Sequence, residues 1–372
     1  MVKEKTIGLI AAPGLGKKIS MTLKKTLNEE LNEKLKENIN WNIEVFEDPL
    51  TGAAETINDL FSGLENYLKK ENKDYLIALT DLPIYQGNKV VAIDINKENG
   101  ISVISIPAYG WRPVTSRIKK TIISLVKRQK KEERSNKYNS HDSSKTNLLQ
   151  KQFPIVPLQV IETKIEGDQQ NHIRLVVVPR INGTLRLLTG MTFANNPMNM
   201  MRSLSNVVAI AFTTGAFGII FTTMWQMSQV FSFFRLTITM VVAILSMVLW
   251  IIVAHGLLSK SYNKKNKRIN RLYNLTTITT LLASVTFYYI IIFLLFLFIG
   301  SILLPRDFLG ESLKLGAPAP LLLYIKIAWF AASISTVAGA IGAGLSNEKL
   351  VRESTYGYRQ QQRYELLENN KK

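Results

Sequence analysis

Apolar and polar positions change rhythm about halfway along the chain. Up to Lys131 the pattern is that of a layered α/β domain. An apolar run near Lys5–Ala12 predicts a first strand. From about Lys17 to Asn38, Ile19, Leu23, Leu27, Leu31 and Leu35 recur at helical spacing and form one apolar stripe. Trp41–Phe46 alternates as a strand does. Thr56–Leu68 returns to helical spacing, with Ile57, Leu60, Phe61, Leu64 and Leu68 on one side. Tyr75–Thr80 is a continuous run, expected of a strand covered on both faces. Lys89–Ile95 and Ile101–Ile106 predict two further strands, turning at Asn99-Gly100, and a basic helix near Pro113–Lys131 closes the unit. The order β-α-β-α-β predicts a mostly parallel, Rossmann-like sheet over residues 1–131, covered by helices and extended by antiparallel strands.

A polar, charged stretch follows, and residues 132–152 are expected to form a flexible linker. Phe153–Ile165 and His172–Pro179 predict a β-hairpin within 153–183 that extends the soluble domain. The pattern leaves open whether it joins the first sheet. Thr184–Ala194, running into Asn195-Asn196-Pro197, predicts a short helix at a membrane surface within an interfacial segment, 184–203.

Beyond it lie four apolar runs, near Leu204–Met227, Leu236–Leu258, Thr276–Leu304 and Leu321–Leu345. Each is long enough to cross about 30 Å of hydrocarbon as a helix. They predict an all-α four-helix transmembrane domain over 204–345, with a tail at 346–372. The second connection carries Lys260, Lys264, Lys265, Lys267, Arg268 and Arg271 and no acid. In the third, Arg306 and Lys314 are balanced by Asp307 and Glu311. The positive-inside rule then places the basic loop and both termini in the cytoplasm, with the chain multi-pass in the cell membrane.

Composition sharpens this picture. The 372 residues are 47% hydrophobic and carry a formal charge of +18, much of which the topology already explains. Nucleic acid is therefore not the expected partner, and the basic helix Ser116–Lys131 lacks the aromatic residues that stack on single strands. That helix is amphipathic. It suits either anionic lipid or the surface of the sheet. With no cysteine in the chain, disulfides, thiolate catalysis and cysteine-ligated zinc are excluded. His141, His172 and His255 show no metal-ligand spacing and are expected at surfaces or interfaces; no metal is expected and no cofactor is identified.

The segment AAPGLGKK, Ala11–Lys18, resembles a phosphate-gripping loop in outline. Lys18 stands where a Walker loop needs a hydroxyl for Mg²⁺, and Ile19 replaces the third glycine of a dinucleotide loop. A strand-to-helix turn is the simpler expectation. An anion cradle made by Gly14, Gly16, Lys17 and Lys18 is the functional alternative. Asp48, Thr51 and Asp81 follow the next two strands and would share the same sheet edge, where open α/β sheets bind ligands. In the fourth span, Ser335, Gly339 and Ala343 fall on one face and Gly344 on the next. Such small residues let helices pack closely, within the chain or in a homo-oligomer.

The stretches TLRLLTGMTFANNP, WIIVAHGL, RLYN, SISTVAGAIGAGL and VRESTYGYRQ, with APGLG, DPLTG and LTDLP earlier on, resemble a family of uncharacterised bacterial four-span membrane proteins with a cytoplasmic α/β half. The resemblance implies one continuous architecture. Some members bear the label methylenetetrahydrofolate dehydrogenase. This chain lacks the dinucleotide glycine pattern such an enzyme would use, so the label is not carried over.

Three functions fit these observations: a regulatory or accessory membrane protein whose soluble domain binds an anionic ligand or a partner; a small oligomeric transporter or channel; and an enzyme on phosphorylated or lipid substrates using Asp48 and Asp81. Topology is directly testable. Alkaline phosphatase fused within the Arg306–Lys314 loop is expected to be active, and fused within Lys260–Arg268 inactive. The reverse pattern overturns the orientation.

Overall fold

The structure, a computed structural model, describes residues 3–35, 39–48, 57–71, 73–111, 114–135, 153, 158–164, 171–198, 200, 205–258, 267–343 and 355. The predicted linker beyond Ser135, His141, Thr51, Gly344 and the tail apart from Thr355 lie outside them. The chain divides into two units, one covering Met1–Ala194 and the other beginning at Asn195.

In the first unit, the continuous apolar runs become the central strands of a mixed sheet. Its elements are β1 (Lys3–Ala11), α1 (Leu15–Leu35), β2 (Ile39–Glu47), α2 (Ile57–Glu71), β3 (Tyr75–Thr80), β4 (Ile84–Gln86), β5 (Lys89–Asn96), β6 (Ser102–Ser105), α3 (Val114–Ser135), β7 (Leu158–Lys164), β8 (Asn171–Val177) and α4 (Arg180–Ala194). The strand order is β2-β1-β3-β6-β5-β8-β7, with β4 on the side of β5. β2, β1, β3 and β6 run parallel, while β5, β8 and β7 are antiparallel additions. The hairpin left open by its sequence pattern therefore joins the sheet, through β8 on β5. β4 carries no periodic signal; it forms because the turn at Gly87 (φ 55°) folds it back onto β5.

Helices cover both faces. Leu60, Phe61 and Leu64 of α2 pack over Ile10, Leu76, Ala78, Val91, Val103 and Val176. The apolar residues of α3, namely Ile118, Ile122, Ile123, Leu125 and Val126, are all buried. Its cations are held within the unit too. Lys119 pairs with Glu30 of α1, and Lys130 lies over the Trp41 ring, 5.8 Å from its centroid. Of the two settings open to this basic helix, it takes the sheet surface.

A charged cluster lies buried in the antiparallel half. Asp94 stands opposite Arg174, and His172 opposite Asn96. One carboxylate oxygen of Asp94 is 2.9 Å from Nδ1 of His172, and the other accepts from Nε of Arg174 at 2.7 Å. Phe61 meets the imidazole edge-on, with ring centroids 4.6 Å apart. His172, expected at a surface or interface, is wholly buried, and His255 is nearly so. The reason for His172 is that β7 pairs outside β8, which makes β8 an interior strand.

The second unit holds α5 (Ser205–Ile220), α6 (Thr222–Val230), α7 (Phe233–His255), α8 (Lys267–Leu303), α9 (Arg306–Ser312) and α10 (Leu321–Ala343). α7, α8 and α10 are long and apolar enough to cross a membrane. The first predicted span is not one rod. It breaks at Phe221 and bends by 85° between α5 and α6, so the pair makes a fourth candidate only if taken together. The break leaves few carbonyls open. Phe221 N–H donates to Gly218 O at 3.2 Å, and the Trp225 indole donates to Ile219 O at 2.6 Å. Lys326 covers the far end of α6, donating to Gln229 O at 3.3 Å and Phe231 O at 2.8 Å.

Close approach of α5 to α10 needs small residues. A Cβ on Gly215 would run into Ser335 and Phe296. One on Gly339 would lie 2.8 Å from the Tyr288 hydroxyl and 3.1 Å from the Ala211 Cβ. Ser335 and Gly339 thus pack within the chain. Ala343 is the last residue of α10.

Removing one member of the Asp94 cluster leaves buried charge uncompensated. Asp94→Ala is expected to cost about 3–5 kcal/mol, read from chemical unfolding of the first unit's signal in the whole protein. A loss below about 1 kcal/mol would contradict this account.

Candidate functional site

The carboxyl ends of β2, β1, β3 and β6 form one edge of the sheet, the edge at which open α/β sheets bind ligands. β1 ends at Ala11 and the chain turns through Gly14, whose φ of 94° favours glycine. Gly16 serves another purpose. A Cβ there would lie 3.2 Å from Leu79 O and 3.6 Å from Cδ1 of Ile106, so glycine lets α1 settle onto the ends of β3 and β6.

The ladder continues past the strands. Ala12 N–H donates to Leu79 O and Asp48 N–H to Ala11 O, each at 3.1 Å. Asp48 is half-buried just past β2, and Asp81 is buried just past β3. The loop after β3 is fastened to β6, because the Ser105 hydroxyl donates to Leu82 O at 2.7 Å.

Gly14, Gly16, Lys17, Lys18, Asp48 and Asp81 therefore lie along one edge. The lysines are less open than the sequence suggests. Lys17 Nζ pairs with Glu47 Oε2 at 2.5 Å. The Lys17 and Lys18 amides donate to Ala12 O and Gly14 O, both at 3.1 Å, as helix bonds. Lys18 is exposed.

The same edge holds two cations that sequence reading missed. β6 passes into a 3-10 turn, Ile106–Tyr109, closed by Gly110 at φ 72°. Arg117 of α3 donates from Nη1 to Tyr109 O at 2.5 Å. Arg186 of α4 reaches the same oxygen from Nη1 at 3.5 Å. Both guanidiniums lie over the Phe153 ring, 5.3 and 5.8 Å from its centroid. The Tyr109 hydroxyl is 2.8 Å from Thr121 Oγ1, and its burial raises its pKa.

The electrostatics of this pair follow from position. Burial, together with the nearby charge of Arg186, lowers the Arg117 guanidinium to about 10. Burial lowers Arg186 as well. Two like charges held together and partly screened from water attract an anion, and the planar forks suit carboxylate or phosphate oxygens. Among the described residues, no group of three or more His, Asp or Glu is placed to hold a metal ion.

No local motif announces the pair, because its members are far apart in sequence. They meet because β8 returns to the sheet and α4 then lies on the 3-10 turn. That contact depends on glycine: a Cβ on Gly190 would run into the Pro107 carbonyl, and one on Gly183 would lie 3.0 Å from Cγ2 of Val90. Gly190→Ala is therefore expected to destabilise the unit by about 1–3 kcal/mol, measured by chemical unfolding; an unchanged midpoint would show that α4 is not held by this contact.

No protein-family model, no curated protein and no solved structure matches this chain.

Proposed function

We propose that this is a multi-pass integral membrane protein whose α/β unit is a Rossmann-like binding module in the cytoplasm. In this reading the module takes a small anionic ligand at the carboxyl edge of its parallel strands and serves a regulatory or accessory role. The membrane half is supported by the apolar helices and by what they expose. Val242, Leu245, Leu249 and Val253 of α7 are each more than two-fifths exposed, an apolar face that water does not favour. The strand order supports the Rossmann-like reading. The chain winds outward from β1 to β2, then back across β1 to β3, so connections part beside β1, where such sheets bind ligands.

The observation that carries the ligand reading is the meeting of Arg117 and Arg186 on the Tyr109 carbonyl. A phosphate-bearing or carboxylate-bearing molecule would bridge the two guanidiniums and relieve their repulsion. The test is thermal unfolding of the full-length protein in lipid nanodiscs with inorganic phosphate, pyrophosphate and a panel of nucleotides and carboxylate metabolites. At least one anion is expected to stabilise the protein, by about 2.7 kcal/mol when present at a hundred times its Kd. The effect is expected to vanish in Arg117→Met and to fade as pH rises through about 10, where Arg117 loses the proton that gives it charge. A flat response across the panel, or a response that survives in the Arg117→Met Arg186→Met double variant, overturns the proposal.

A further inference from the structure

α3 and α4 both combine apolar residues with positive charge. α3 has no apolar face left, since the sheet and α1 take it. α4 is different. Gly183, Leu187, Gly190 and Met191 face into the unit and are buried. On another side Ile181 and Leu185, one turn apart, are 76% and 53% exposed. Trp111, 65% exposed, follows Gly110, which itself packs against Arg186 and Thr189 of α4. The indole therefore stands on the flank of the same helix. A helix that is apolar on two sides needs a second apolar environment.

We propose that the outer face of α4, with Trp111, docks into the headgroup layer of the anionic cytoplasmic leaflet. This rests on the membrane half of the function proposed above, not on its ligand half. Three observations favour lipid as the occupant. Arg180, exposed next to Ile181, carries the positive charge beside this face, Arg186 being turned to the Tyr109 carbonyl, and no acidic residue occurs anywhere between Asp168 and Asp307, so the face is apolar anchors beside positive charge. Tryptophan and leucine beside arginine is the composition that suits the membrane–water boundary. Covalent continuity supplies the third. Only Asn195–Leu204 separates α4 from α5, a stretch that reaches at most about 35 Å fully extended. A second copy is the poorer fit, because a two-fold contact would set identical positive faces against one another.

The absence of cysteine makes the test direct. Single variants Trp111→Cys, Ile181→Cys and Leu185→Cys each carry a nitroxide in the full-length protein, reconstituted in vesicles of phosphatidylethanolamine and phosphatidylglycerol. Lys24→Cys, on the exposed side of α1, is the water reference, and Val242→Cys on α7 is the lipid reference. Collision rates with oxygen, which partitions into lipid, and with a nickel chelate, which stays in water, are read for each. The proposal expects the labels at 111, 181 and 185 to shift from nickel toward oxygen relative to Lys24→Cys. Labels at these sites that match Lys24→Cys while Val242→Cys reads as lipid overturn the docking face and leave the membrane reading standing. A water-like Val242→Cys overturns both. Spin–spin coupling between copies at position 185, without a gain in oxygen access, assigns the face to a dimer and overturns the lipid assignment. Since all three sites are exposed, folding is checked simply by the unchanged melting of the labelled proteins.

Discussion

Every backbone group taken out of water must find its partner inside the chain, and both units are organised by that requirement. In the first unit, β8 supplies the ladder partner for the outer side of β5, and β7 in turn pairs with β8. The residues just past the strands continue the ladder at Ala12 and Asp48. In the apolar unit side chains meet the same need at several places where a helix stops. The Trp225 indole takes a carbonyl at the break in the first span, and the Tyr324 hydroxyl takes Leu304 O at 2.6 Å. Arg306 donates to Ala319 O at 3.0 Å. In hydrocarbon this requirement is stricter still, because no solvent is present to substitute.

Much of the α/β fold was legible in the sequence because its central strands and helices are strongly periodic. Tyr75–Thr80 forms the strand its apolar run predicts, and α1 buries Ile19, Leu23, Leu27 and Leu31. The features that periodicity could not deliver are those set by distant partners. β4 is three residues held by a turn. The place of the hairpin is decided by pairing with β5, and Asp94 makes sense only with Arg174 and His172 opposite or beside it. The break at Phe221 was hidden because composition stays apolar across it. The edge residues after β1, β2 and β3 could be named from strand order alone. The arginine pair could not, since neither Arg117 nor Arg186 stands at a strand end or in a turn motif.

These differences redistribute the positive charge seen in the sequence. Lys17, which looked like the anion-binding group, is matched by Glu47. Lys119 and Lys130 of the basic helix are tied to Glu30 and to an aromatic ring. Arg117 and Arg186 meet on one carbonyl, Tyr109 O. Arg186 reaches it because α4 lies close on the 3-10 turn. Gly190, where a Cβ would run into the Pro107 carbonyl, is thus part of what brings the two charges together.

Lys326 is the one formal charge inside α10, and a lone ammonium in an apolar helix invites the idea of an ion path. Its two bonds to Gln229 O and Phe231 O say otherwise. They tie α10 to the turn between α6 and α7, and the Phe233 ring beneath the ammonium, 5.5 Å away at its centroid, steadies it. The charge acts as a rivet. The turn from α6 into α7 cannot leave α10 without breaking both of those bonds, so the ammonium fixes one corner of the helical unit.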